Sequence, residues 1–157
     1  MTVHPVTTAD IPRIIDLLKQ VGGVHHDLRP DLFRSGAQKY DEAALRQLLS
    51  DPARPIFGAY REERLVGYCF CIRQEVRDDP VLRDRKSLYI DDLCVDESCR
   101  RQGIARALYD YTLAYAREEG FDAVTLNVWA GNDGAQKFYE AMGMKPRKTM
   151  METILGD

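Results

Sequence analysis

The chain has 157 residues, 45% of them apolar and 30% charged, with 22 Lys and Arg against 25 Asp and Glu and a formal net charge of −3. That length predicts one domain, 1–157, large enough to bury a core. The acidic balance speaks against a nucleic-acid binder, whose surface is basic, and suits a small-molecule or cationic partner better.

TADIPRIIDLLKQ, residues 8–20, predicts a helix capped by Thr8, with Pro12 in its first turn and Ile11, Ile14, Ile15 and Leu18 on one face. Residues 22–36 have glycines, prolines and no clear period, which predicts a loop with room for a short helical turn. Residues 41–50 predict a second helix, capped by Asp41, with Leu45, Leu48 and Leu49 inward. Residues 56–61 and 65–76 predict a hairpin around Glu62, Glu63 and Arg64. SLYIDDLCV, 87–95, predicts a third strand, 103–119 a helix stopped by Gly120, and 122–130 a strand. Residues 132–143 predict a helix with Asn132 as cap, and 147–155 a last strand. This order predicts an α/β (α+β) fold with one mixed, largely antiparallel sheet and flanking helices, not a regular doubly wound one.

The N-terminal stretch lacks the basic start and apolar run of a secretory signal. No run approaches the ~18 apolar residues of a membrane span. Cys69, Cys71, Cys94 and Cys99 form no C-x-x-C pair, so reduced thiols in a cytoplasmic protein are expected.

CRRQGIA, 99–105, places Gly103 and two cations between a predicted strand and a predicted helix. Free amides at a helix start and the helix dipole favour an anion there. Gly103 lets the backbone approach closely, and Arg100 and Arg101 can bond phosphate oxygens. The same stretch also reads as an ordinary helix start with surface arginines. Neither G-x-x-x-x-G-K-[ST] nor G-x-G-x-x-G occurs, which sets P-loop and dinucleotide folds aside.

Two carboxylates, Asp91 and Asp92, interrupt an otherwise apolar strand. Neighbouring strand side chains alternate faces, so one of the two is expected to face a given side. An aspartate there could attract an ammonium group and accept its proton, or brace a loop. His25, His26 and Asp27 invite a metal reading, but adjacent histidines are poorly placed for one ion and only His4 remains beside them. No metal is expected.

The stretch 95–105 resembles the [Q/R]-x-x-G-x-[G/A] signature of the GNAT acyltransferase superfamily, with Arg100, Gly103 and Ala105 at its defining places. Residues 126–144 resemble the family's second signature through Asn132, Ala135, Tyr139 and Gly143, with Met144 in the usual phenylalanine place. The order of elements along the chain also fits. The resemblance implies the GNAT fold and acetyl-CoA in a V-shaped gap between strands 87–95 and 122–130. It places pantetheine along the backbone of Leu93 and Val95. It places pyrophosphate on the amides of 101–106, so that Arg101, Gln102, Ile104 and Arg106 join the cradle. Asn132, Ala135 and Tyr139 would face the cofactor arm.

The resemblance also implies that Tyr139 is the general acid for the departing thiolate. YIDDLCV resembles the matching stretch of polyamine-acetylating members, which aligns Asp91 with the base. Segments after the first helix commonly line the acceptor side in this family, which makes His25, His26, Asp27 and Arg29 substrate candidates, and Asp92, beside Asp91 in the strand, is a further one. Tyr40, Tyr68 and Trp129 could also border that site. The expectation is N-acetyl transfer to a primary amine of a small molecule, by direct attack in a ternary complex, with a homodimer among the expected assemblies. A protein N-terminus or lysine as acceptor, and a non-catalytic acyl-CoA-binding module, are the alternatives.

Overall fold

In a computed structural model, residues 1–156 are described. They fall into two units, Met1–Asn127 and the segment from Val128 onward.

The first unit is built on five strands: β1 (Thr2–Pro5), β2 (Ile56–Arg61), β3 (Arg64–Val76), β4 (Arg85–Val95) and β5 (Ala123–Leu126). They lie in sequence order. Pairing is antiparallel from β1 to β4 and parallel between β4 and β5. The mixed, largely antiparallel sheet is therefore as expected. β1 is an addition, since its four residues carry no alternation to announce it. The hairpin turn is tighter than predicted: Glu62 and Glu63 both take positive φ, 47° and 66°, in a two-residue turn.

Helix α1 (Ile11–Leu28) and helix α2 (Glu42–Leu49) cover one face. Their inward residues Ile14, Leu17, Leu18 and Leu45 are buried with Tyr68, Phe70 and Cys94 of the sheet. The predicted cap Thr8 instead lies in a 3-10 turn, 8–10, in which Thr7 and Asp10 bond each other. Asp41 caps α2 as expected, accepting from the Ala44 amide at 2.8 Å. Helix α3 (Ile104–Glu118) packs on the opposite face of the sheet through Ile104, Leu108 and Thr112.

Part of the predicted loop 22–36 is helix: α1 runs on through Gly22 and Gly23 to Leu28. A glycine is required at 22, because a Cβ there would meet the Ala37 carbonyl oxygen at 2.4 Å. The glycine marks a close crossing of chain, not a break in the helix.

The second unit holds helix α4 (Asp133–Ala141). Asn132 caps it, accepting from the Ala135 amide at 3.3 Å. The rings of Phe138 and Tyr139 meet edge to face, 5.1 Å apart. The strand expected over 147–155 is not formed. Residues 145–156 are exposed and belong to no helix or strand, and a strand exists only where its amides and carbonyls find a ladder partner. The fourth predicted strand, 122–130, is likewise short, ending at Leu126.

Candidate active site

β4 outruns its parallel neighbour. Ladder pairing with β5 covers Ser87 to Ile90 and stops. From Asp91 to Val95 no described strand pairs with that edge of β4. The two strands therefore open a gap at the carboxyl ends, bordered by the backbone of Leu93 and Val95. Val95 is partly engaged, since its carbonyl accepts from Gln20 Nε2 at 2.9 Å. Gln20 Oε1 in turn accepts from the Glu97 amide at 3.1 Å. One side chain of α1 thus ties the end of β4 to the turn that follows. The sequence reading missed Gln20, because an amide on a helix face carries no signal without its partners.

That turn leads into the stretch expected to form an anion cradle. Asp96 accepts from the Ser98 amide at 2.9 Å and the Ser98 hydroxyl at 2.8 Å, and pairs with Arg13. The Ser98 amide foremost, with the Ser98 hydroxyl and Arg13, keeps the Asp96 carboxyl below the usual aspartate range, although burial opposes it. Arg101 and Gly103 both take left-handed backbone, φ 62° and 78°, and α3 begins at Ile104. A Cβ at Gly103 would meet nothing within 4 Å, so the glycine serves the positive φ and leaves open space above the helix start. Arg100, Arg101, Gln102 and Arg106 are exposed around it, Ala105 is half-buried, and Ile104 is anchored in the core. Free amides, a helix dipole and three exposed arginines around open space fit a pyrophosphate.

Upstream, β4 carries a bulge. Phe70 pairs with Asp92 and Cys71 with Ile90, so Asp91 has no partner on β3. The expected strict alternation of Asp91 and Asp92 fails here, because a bulge resets the pleat. Both carboxylates act on one ammonium group, that of Lys39. Lys39 Nζ lies 2.6 Å from Asp91 Oδ2, and the Tyr40 hydroxyl lies 3.5 Å from the same oxygen. Tyr68 donates to Asp92 Oδ2 at 2.7 Å. Tyr40 stacks on Phe70 at 5.8 Å, and Phe70 meets Tyr68 edge-on at 4.7 Å, which makes an aromatic wall beside the acids.

Burial pushes the Asp92 carboxyl above the usual aspartate range. The Tyr68 bond and the charges of His25 and Lys39 pull it down, and Asp91 pushes it up. Lys39 is held above the usual lysine value, burial opposing the Asp91 bond and the charges of both acids. The Cys94 thiol is buried, and its pKa is pushed up to about 12, mainly by that burial.

Three of the candidates after the first helix separate. His25 packs on Phe33 at 4.9 Å and acts on Asp92. His26 Nδ1 bonds the Phe33 carbonyl at 2.9 Å, which shapes the loop. Asp27 lines a shallow cleft with Gly23, Val24, Asp96 and Glu97, beside the lead-in to the cradle. Among the described residues no group of three or more His, Cys, Asp or Glu could hold a metal ion.

Residues 23–144 match the family described as Acetyltransferase (GNAT) family. The chain belongs to the GNAT acetyltransferase family. Human N-acetyltransferase 8 is 35% identical over 100 residues, 64% of this chain and 42% of that protein. An uncharacterized N-acetyltransferase of Mycobacterium tuberculosis, Rv2669, is 33% identical over 103 residues, 66% of this chain and 60% of that one. The chain thus spans about half the length of the first curated GNAT relatives it matches. The crystal structure of the BH1408 protein from Bacillus halodurans superposes with a TM-score of 0.94 at 29% identity, over 99% of both chains. An aminoglycoside acetyltransferase from a soil metagenomic sample shares the GNAT fold, with a TM-score of 0.75 at 22% identity over 99% of this chain and 96% of that one. No described helix is long and apolar enough to cross a membrane.

Proposed function

We propose that the chain is a single N-acetyltransferase domain, 1–157, which moves the acetyl group of acetyl-CoA to a primary amine of a small molecule. The observation that carries this reading is the continuity of β4: one strand runs from two acids at a bulge, along an unpaired edge, into an anion cradle. That layout matches a cofactor with a pyrophosphate at one end and an acyl group at the other.

In this reading the amides of 103–106, with Arg100, Arg101, Gln102 and Arg106, hold the pyrophosphate. The backbone of Leu93 and Val95 aligns the arm. Asn132 and Ala135 are assigned to the arm through the family resemblance. Asp91 attracts the ammonium of the acceptor and takes its proton, directly or through water. Asp92, pushed up by burial, is a reserve base and adds negative field beside it. Amides freed at the bulge donate to the thioester oxygen as charge develops on it. Tyr139, neutral at pH 7 with a reference pKa of about 10, protonates the departing thiolate. Direct attack in a ternary complex is favoured over an acetyl-cysteine intermediate, because the thiolate is the nucleophile and burial keeps Cys94 protonated. The buried free thiols also fit a reducing, cytoplasmic setting.

Thiol release from acetyl-CoA across a panel of small amines, N-terminal peptides and lysine peptides tests this reading. Amine-dependent release is expected with small amines. Release with peptides alone moves the acceptor to protein. Binding of acetyl-CoA without release for any amine marks a sensor instead.

A second copy of the chain is the partner we assign to residues 145–156. Met150, Met151, Ile154 and Leu155 are 96%, 84%, 67% and 94% exposed on a segment outside any strand. Exposed apolar side chains grouped in this way favour association between copies. Light scattering should find a dimer, and deletion of 147–157 a monomer. A monomeric full chain at micromolar concentration removes the assignment.

A further inference from the structure

The acceptor place described above already holds a primary amine. Lys39 Nζ sits 2.6 Å from Asp91 Oδ2 and 5.4 Å from the centre of the Tyr40 ring. Among the described residues no other lysine pairs with Asp91 or acts on Asp92. The lysine side chain is 48% exposed while Asp91 is 16% exposed, so the amine reaches inward from solvent to a nearly covered acid. Its backbone lies in the segment joining α1 to α2, outside any helix or strand, two residues before the Asp41 cap. The Tyr40 stack on Phe70 and the Gln38 amide bond to the Tyr40 carbonyl, at 2.8 Å, fix the neighbouring chain. Leu93, where the cofactor arm is assigned, is two residues along β4 from Asp91, about 7 Å at the usual rise.

We propose that Lys39 is a self-modification site: its amine occupies the acceptor place on Asp91 and receives the acetyl group of acetyl-CoA bound to the same chain. This inference rests on the acetyltransferase reading. The ammonium gives one proton to Asp91, which passes it to water. The freed nitrogen lone pair attacks the thioester carbonyl carbon. A C–N bond forms and the C–S bond breaks. A second proton leaves nitrogen and ends on the departing thiolate, so the products are acetyl-lysine and CoA thiol, with no change in oxidation state. The product amide is neutral and can no longer pair with Asp91, so the modification opens the acid to a free amine.

The groups around the ammonium set its pH dependence. Asp91 and Asp92 of β4 face it, Tyr40 flanks it, and His25 of α1 and Tyr68 of β3 act on it through Asp92. Both acids favour the charged form, so acetylation speeds up as pH rises. A neighbouring thioester gives Lys39 a high effective concentration that other lysines lack.

The test incubates the full chain with acetyl-CoA and no acceptor, and follows acetylation by intact mass and peptide mass spectrometry. Exposed Lys19, Lys137 and Lys148 report chemical acetylation by free acetyl-CoA. Lys39 is expected to take one acetyl group per chain, roughly tenfold or more faster than those lysines, at a rate independent of protein concentration. Asp91→Asn and Gly103→Glu should each bring Lys39 down to the rate of the others. Thermal shift with acetyl-CoA on the same sample separates the two readings. Stabilisation with Lys39 no faster than Lys19 overturns this inference alone, as does a rate that grows with protein concentration. Neither stabilisation nor thiol release overturns it together with the acetyltransferase reading.

Discussion

Tyr68 donates its hydroxyl proton to Asp92 across the β3–β4 ladder, 2.7 Å from oxygen to oxygen, with the tyrosine fully covered. The acid it serves has a folded pKa above its unfolded value, so the native state holds that proton more tightly. Stability from this group therefore falls as pH rises from about 4 through the raised pKa. Tyr68→Phe removes one of the influences that keep that pKa down. It should cost about 1–3 kcal/mol at pH 7, and much less at pH 4, where Asp92 is protonated. Urea unfolding at both values checks this, and an equal loss at the two would show that the bond matters only as packing.

Asp91→Asn keeps the size of the side chain at the bulge and removes its charge. Turnover should fall, and the rate optimum should move to higher pH, where more of the acceptor is already neutral. Rate profiles across pH with saturating acetyl-CoA measure this. A profile of unchanged shape would take the base role from Asp91 and leave Asp92 as the candidate.

At Gly103, two substitutions separate backbone from charge. Ala strains the left-handed backbone and should cost about 1–2 kcal/mol of stability, with CoA binding weakened only modestly. Glu adds bulk and negative charge at the helix start and should abolish binding. Thermal shift with CoA gives both: at 100 times the dissociation constant, bound cofactor adds about 2.7 kcal/mol. Undiminished binding by Gly103→Glu would remove the cradle from this place.

Tyr139→Phe preserves the ring on α4 and removes the proton. Turnover should fall by about two orders of magnitude or more, with acetyl-CoA affinity little changed. Equal losses in both would make Tyr139 a cofactor contact only.

The backbone proposed to hold the cofactor was legible in the sequence, because Gly103 and the arginines lie within a few residues of one turn and local backbone decides its shape. The acceptor end was not. The Asp91 bulge depends on how β4 registers against β3, which no window of residues contains. Lys39 is 52 residues from Asp91, and a lone lysine before a helix reads as surface. Gly22 and Gly23 looked like a loop, since glycine lowers helix propensity, yet α1 runs through both and Gly22 serves the close crossing at Ala37. The expected strand 147–155 has suitable residues, but strand formation is decided by a partner.

The crossing of Gly22 under Ala37 has a consequence for how such a protein could change its diet. The segment that carries Lys39 crosses α1 where Gly22 meets Ala37 and is held again where His26 bonds the Phe33 carbonyl, while Asp96 and Val95 are tied to the same helix through Arg13 and Gln20. A side chain at 22 would collide with the Ala37 carbonyl and push on the segment that carries Lys39 and Tyr40. In the acetyltransferase reading proposed above, the fit of the amine is thus open to change from inside a helix, at a residue assigned to neither substrate.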